Sequence, residues 1–284
     1  MRAPAVSGRF YPGTARELER AVRELLAAVP PVPPAGARPA PARAAVAPHA
    51  GYVYSGLTAA HVFARLDVPP IVVIVAPNHT GVCHAPGGAS LWEAGAFRTP
   101  LGDVAVDDRF AAALLDASPL VGSDHAAHAD EHAVEVELPF LQVLRADVRI
   151  VPLVLAWDAW EGCERLGQAL AAVVGRWPER VLLLASSDLN HYEPATVSER
   201  KDHRALEAVA ALDGAELLAR CRREHISMCG RAPTATVIAA IRALGGGAGG
   251  GGGAARAEVV HYSHSGMVTG EDDAVVGYGG VVIA

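Results

Sequence analysis

Lysine is almost absent from this 284-residue chain: Lys201 is the only one, and 31 acidic residues against 24 basic ones give a net charge of −7. Nucleic-acid binding draws on clustered positive charge that displaces counterions from phosphates, so the composition excludes that class of partner. Cysteine is sparse as well. Cys83, Cys163, Cys221 and Cys229 lie far apart with no CxxC pair, which indicates neither a disulfide framework nor a zinc knuckle and leaves four thiols. Apolar runs such as Ile71–Ala76 and Val181–Ala185 fall far short of the roughly 20 residues that span a bilayer. Met1–Gly13 has no apolar stretch behind a basic start, so no secretory signal and no membrane association are expected, and a cytoplasmic location is. The glycine run Gly245–Ala254 lacks the Lys-Ser/Thr that completes a P-loop; it reads as a flexible loop within the domain, without chemistry.

What the chain does contain suits a globular protein: 51% of residues are hydrophobic and only 19% charged. No complete core precedes the Pro- and Ala-rich segment Pro30–Pro41, which therefore reads as a surface connection, and a single domain over residues 1–284 is expected. Thr14 caps a predicted helix running to about Ala28, with Leu18, Val22, Leu25 and Leu26 on one face. Beyond it, apolar runs alternate with helical patterns. Strands are predicted at Ala44–Ala47, Ile71–Ala76, Val104–Val106, Val148–Leu155, Val181–Ala185, Ala257–Tyr262 and Ala274–Ile283. Helices are predicted at Gly56–Leu66, Asp107–Ala117, His132–Leu144, Trp160–Val174, Glu199–Leu212, Ala215–Cys221 and Pro233–Leu244. The alternation predicts an α/β fold with substantial parallel pairing, covered by helices.

Three segments share one design. AAVAPHAGYVYSG carries His49, IVVIVAPNHTG carries His79 and VLLLASSDLNHYEP carries His191, each just past the end of an apolar strand. In a sheet with parallel strands, ligands bind beyond the carboxyl ends, so the three imidazoles are expected at one rim. One histidine beside a strand is more often a hydrogen-bonded structural residue; three strands ending this way point to chemistry, as metal ligands or as an acid-base group. Asp188, three residues before His191, either orients that imidazole or merely caps the following turn.

Two further segments leave alternatives open. Cys229 lies just before a helix, where the helix N-terminus lowers a thiol's pKa and favours metal binding, but an inert buried cysteine is the reading that the residues alone favour. HAAHADEHAVEVELPF places His128, His132 and Glu135 on one helical face, a spacing that suits a metal site. Against that, Asp130 and Glu131 suit a helix N-terminus and Val134, Leu138 and Leu141 a buried stripe, so one or two of its side chains are expected to support the site from behind. His261 and His264 read as rim or surface residues.

The motifs APHAGYVYSG, APNHTG, RTPLGDVAVD, DEHAVEVELPF, IVPLVL, SSDLNHYEP, LDG, MCGRAP and VVGYGG follow one another over nearly the whole chain, and in this order the sequence resembles the Memo-like proteins, called AmmeMemoRadiSam system protein B in prokaryotes. Their fold is similar to that of the class III extradiol (LigB-like) dioxygenases. The resemblance implies a single-domain sandwich about a central mixed sheet flanked by helices. It implies that His49, His79 and Cys229 occupy metal-ligand positions and that His191 occupies the acid-base position, with Asp188 beside it and Glu131 and His132 in support. A thiolate in place of the dioxygenases' carboxylate ligand suits iron, copper or zinc, so ring cleavage is not carried over.

The expected function is that of a non-haem, iron-dependent oxidoreductase acting on a small-molecule or peptide substrate. The rival expectations are a scaffold or adaptor that has kept a metal- or peptide-binding pocket, and a metal-dependent hydrolase. The prokaryotic family name also implies an AMMECR1-type protein and a radical SAM enzyme as partners.

Overall fold

A computed structural model describes residues 1–31, 41–245 and 255–284. The described strands are β1 (Ala44–Ala47), β2 (Ile71–Pro77), β3 (Ala89–Leu91), β4 (Ala96–Thr99), β5 (Gly102–Val106), β6 (Val121–Ser123), β7 (Arg149–Leu155), β8 (Val181–Ser186), β9 (His191–Glu193), β10 (Ala257–His264) and β11 (Val275–Ile283). They form one mixed sheet in the order β10-β11-β1-β8-β2-β7-β3-β6, with β4 and β5 paired beside β7 and β9 added to β11. β1, β8, β2 and β7 run parallel, while β11 and β3 flank them antiparallel. The α/β single domain with a central mixed sheet expected from the sequence is what the chain adopts.

Alternation along the parallel strands explains the layers, because successive side chains of a strand face opposite sides. Ile71, Val73 and Val75 of β2 join one apolar core, and Val72, Ile74 and Ala76 join the other. The first face is covered by α3 (Asp108–Ala117), α6 (Trp160–Val174), α7 (Ala195–Ala210), α8 (Gly214–Arg223) and α9 (Arg231–Gly245). The second is covered by α1 (Ala15–Ala28), α2 (Tyr52–Phe63) and α5 (Leu138–Leu144). Two short helices, α4 (Ala126–Ala129) and α10 (Gly266–Thr269), lie in connections. Strands buried on both faces read as continuous apolar runs, which is why β2, β7 and β8 were visible in the sequence. Thr14 caps α1 as predicted, its hydroxyl accepting from the Glu17 amide.

Several predicted elements differ. The helix expected over His132–Leu144 is broken: one 3-10 turn, Glu135–Glu137, leads into α5, whose first turn holds Pro139, a residue that cannot accept a place deeper in a helix. α2 begins at Tyr52 rather than Gly56, and α7 at Ala195 rather than Glu199. β3, β4, β6 and β9 are too short to show a periodicity. Of the glycine run, Gly245 ends α9, and the rest of the predicted loop lies outside the described residues, as does most of Pro30–Pro41. Among the described residues no helix is long and apolar enough to cross a membrane.

Candidate metal centre

The parallel register aligns the strand ends that carry the site. Ala47, the last residue of β1, is level with Ser186, the last of β8, and Val75 of β2 is level with Ala185. The chain leaves each strand on the same edge, so His49, His79 and Asp188 each lie two residues beyond it. His49 is buried. Its amide donates to Asp188 Oδ1 at 2.9 Å and its Nδ1 lies 2.8 Å from Ser186 Oγ. His79 is anchored from both ends by Glu131, whose carboxylate accepts from the His79 amide at 2.6 Å and lies 2.9 Å from Nδ1. Cys229, two residues before α9, places its sulfur 3.3 Å from His49 Nε2 and receives the Asp188 amide at 3.2 Å.

One ligand atom each from His49, His79 and Cys229 lie within 4.8 Å of one another, close enough to share a single cation. The donor set fits a metal on its own chemistry: both imidazoles have Nδ1 engaged by a second residue, the arrangement that orients ligating histidines. His79, Glu131 and His132 form a second group within the same distance. In that group, however, Glu131 already holds His79, and the His132 ring stacks on His79 with centroids 4.7 Å apart.

With these contacts in view, comparison with known proteins decides the family. The chain matches the Memo-like protein family over residues 2–282. It belongs to that family. A MEMO1 family protein of Methanopyrus kandleri is 37% identical over 99% of this chain and 98% of its own length. One of Methanosarcina barkeri is 36% identical over the full length of both chains, and one of Aeropyrum pernix 38% identical over 98% of each.

Electrostatics of this Memo-like site are set by burial. Desolvation pushes His49 well below the usual histidine range, and the neighbouring His79, His132 and His191 push it further. Burial depresses His132 and His191 too, with His79 adding to both. His79 itself is raised: burial alone would depress it, but the hydrogen bond and charge of Glu131 outweigh that. Burial would raise Glu131, which is nevertheless lowered by its contact with His79. Asp188 is pushed up to about 7 by burial, against the amides of His49 and Ala50 that favour its charged form.

Cys229 corrects the helix-terminus argument. Its thiol is raised far above the ordinary range, because desolvation and the adjacent Asp188 charge outweigh the start of α9. Without a cation this sulfur keeps its proton; a bound metal would have to displace it.

The seven residues that the family resemblance points to, His49, His79, His191, Asp188, Cys229, Glu131 and His132, gather at this one edge. The metal face proposed for His128, His132 and Glu135 does not form, since the helix it needs is broken. His128 is buried 3.0 Å from the Ser90 carbonyl, and Glu135 pairs with the buried Arg2 while accepting from Tyr11 and the Ala5 and Val6 amides. Asp188 engages the His49 amide, and His191 is oriented by a different residue, Ser227, whose hydroxyl accepts from its amide and whose carbonyl is 3.1 Å from Nδ1. Asn190 Oδ1 in turn accepts from the Ser227 amide and hydroxyl. His264 is buried rather than at the surface.

His49, His79, His132, Asp188, His191 and Cys229 line a cavity of about 770 Å³, within the size range of small-molecule sites. Arg9, Phe10, Tyr54 and Tyr192 form other parts of its wall. Tyr192 has a left-handed backbone (φ 60°), a strained conformation for an aromatic residue, and is 77% exposed. Sequence reasoning missed Arg2, Phe10, Ser186, Glu137 and Ser227. Ser186, Glu137 and Ser227 stood beside the marked residues of the SSDLNHYEP, DEHAVEVELPF and HISMCGRAP segments, without a role assigned to them.

Proposed function

We propose that this Memo-like protein is a metal-dependent oxidoreductase that uses iron, held by His49, His79 and Cys229, to act on a small molecule or peptide bound in the cavity above. The observation that carries the reading is the convergence of two imidazoles and a thiol within 4.8 Å at a cavity large enough for a substrate. Bound there, the metal would supply Lewis-acid and redox chemistry, and the thiolate donor favours a transition metal over magnesium or calcium. His191 would carry protons: burial keeps it neutral near pH 7, and with Nδ1 facing Ser227, its Nε2 is the nitrogen left to take one. Asp188 would position His49 through its amide and, with a pKa of about 7, could hold or release a proton beside the cluster.

The test is anaerobic reconstitution with ferrous iron, followed by metal analysis of wild type, His49→Ala and His191→Ala, and by oxygen-uptake measurements on the loaded protein. About one iron per wild-type chain, little in His49→Ala and full occupancy with lowered oxygen uptake in His191→Ala is the expected pattern. Equal occupancy in wild type and His49→Ala would reject the site. Bound iron with no oxygen uptake under any substrate mixture would reject the oxidoreductase and leave the adaptor or hydrolytic reading.

A further inference from the structure

The serine that ends β8 has three partners and one hydrogen to give. Ser186 Oγ lies 2.8 Å from the Ala133 carbonyl, 2.8 Å from Glu137 Oε1 and 2.8 Å from His49 Nδ1. A hydroxyl offers one donor and two lone pairs, and a carbonyl can only accept. If the hydroxyl hydrogen goes to Ala133, the other two partners must each bring their own. His49 then donates from Nδ1, and Glu137 donates as a neutral carboxylic acid. All three contacts are satisfied in this arrangement and in no other.

The surroundings of Glu137 agree. Ser186, Glu137 and His49 are each no more than 1% exposed, and Glu137 Oε2 is buried with no hydrogen-bond partner. A carboxylate would leave a charged oxygen bare there, whereas an acid leaves only a neutral carbonyl oxygen. Burial and the nearby Asp188 charge both push the Glu137 carboxyl upward. A neutral imidazole carries one N–H, so a proton fixed on Nδ1 leaves the lone pair on Nε2, the nitrogen 3.3 Å from Cys229 Sγ.

We infer that Ser186, clamped between Ala133 and Glu137, is a positioning residue that fixes His49 as its Nδ1–H tautomer and so presents Nε2 to the metal. The inference rests on the metal-centre reading for its purpose, but its physical content can be read without a metal. In metal-free protein labelled with 15N-histidine, NMR of the wild type is expected to give the Nδ1–H pattern for His49. Ser186→Ala is expected to populate the Nε2–H form. An Nε2–H wild type, or an Nδ1–H pattern unchanged in Ser186→Ala, would overturn the inference.

Cobalt(II) titration followed by its thiolate absorption supplies the second arm. Glu137→Leu, which leaves Ser186 without its donor, should weaken uptake about tenfold or more, in line with losses seen when ligand-orienting groups are removed. Glu137→Gln, whose amide can still donate to Ser186, should restore it. Glu137→Leu binding as tightly as wild type would overturn the role of Glu137. If wild type takes up no cobalt while the tautomer still follows Ser186, the metal reading fails and the positioning stands.

Discussion

Arg2 illustrates how much one buried side chain can organise. Its guanidinium forms an ion pair with Glu135, donates to the His128 carbonyl at 3.0 Å and to the Glu131 carbonyl at 2.6 Å, and is 2% exposed. Glu131 is the residue that holds His79, so Arg2 fixes the backbone behind a candidate ligand without touching the cavity. Desolvating two charges gains little net stability, but removing one partner leaves the other buried and uncompensated. Arg2→Ala is therefore expected to cost about 3–5 kcal/mol in urea denaturation. A loss below about 1 kcal/mol would mean that Glu135 finds its compensation in Tyr11 and the two amides alone.

At the scale of elements, the site depends on how closely α9 approaches the end of β8. Gly230, between Cys229 and α9, donates from its amide to Ser187 Oγ at 3.0 Å, and a Cβ added there would lie 2.4 Å from both Ser186 O and Ser187 Cβ. One of those atoms is backbone, so the contact cannot be relieved by a rotamer change. Gly230→Ala should push the start of α9 off the sheet, destabilise the fold by about 1–3 kcal/mol, and displace the Cys229 sulfur. Thermal denaturation together with the cobalt–thiolate absorption band checks both effects; an unaltered band would show that α9 can shift without moving the sulfur. The same scale explains the broken helix. His132 to Glu137 turn too tightly to form the face that periodicity suggested, and this lets Glu137 point at Ser186 instead of at solvent.

Across the whole molecule, acid sensitivity follows from imidazoles that fold in the neutral form. His128 is 1% exposed, its pKa lowered to about 4 by burial, with Nε2 against the Ser90 carbonyl. Between the ordinary histidine value and about 4, the unfolded chain binds a proton there that the folded chain does not. Its contribution to stability is thus present above that window and is lost as pH falls through it. His128→Gln keeps a donor for the Ser90 carbonyl and removes the titration. Its stability relative to wild type should improve on going from pH 7 to pH 5, by at most about 1.4 kcal/mol per pH unit. Urea midpoints at the two pH values measure this; a constant difference would show that His128 titrates alike in the folded and the unfolded chain. The carboxyls Asp188 and Asp202, both raised to about 7 by burial, act in the opposite direction, losing stability as pH rises through the same range.

Apolar patterning was enough to find the central strands and their common edge. β1, β2, β7 and β8 are buried on both faces, which writes them as unbroken apolar runs, and the parallel rule then places His49, His79 and His191 together. The family motifs added Cys229, which no periodicity could connect to a histidine 180 residues away. Local patterns failed where long-range contacts set the outcome. Glu135 answers to Arg2, Glu137 to Ser186, and His191 to Ser227, pairs separated by 133, 49 and 36 residues. Tertiary structure alone decided which nitrogen of each histidine faces the cavity and that burial, not the helix terminus, governs the cysteine. Tautomer and thiol pKa depend on hydrogen-bond partners and dielectric surroundings, and neither exists until the sheet has brought the strand ends together.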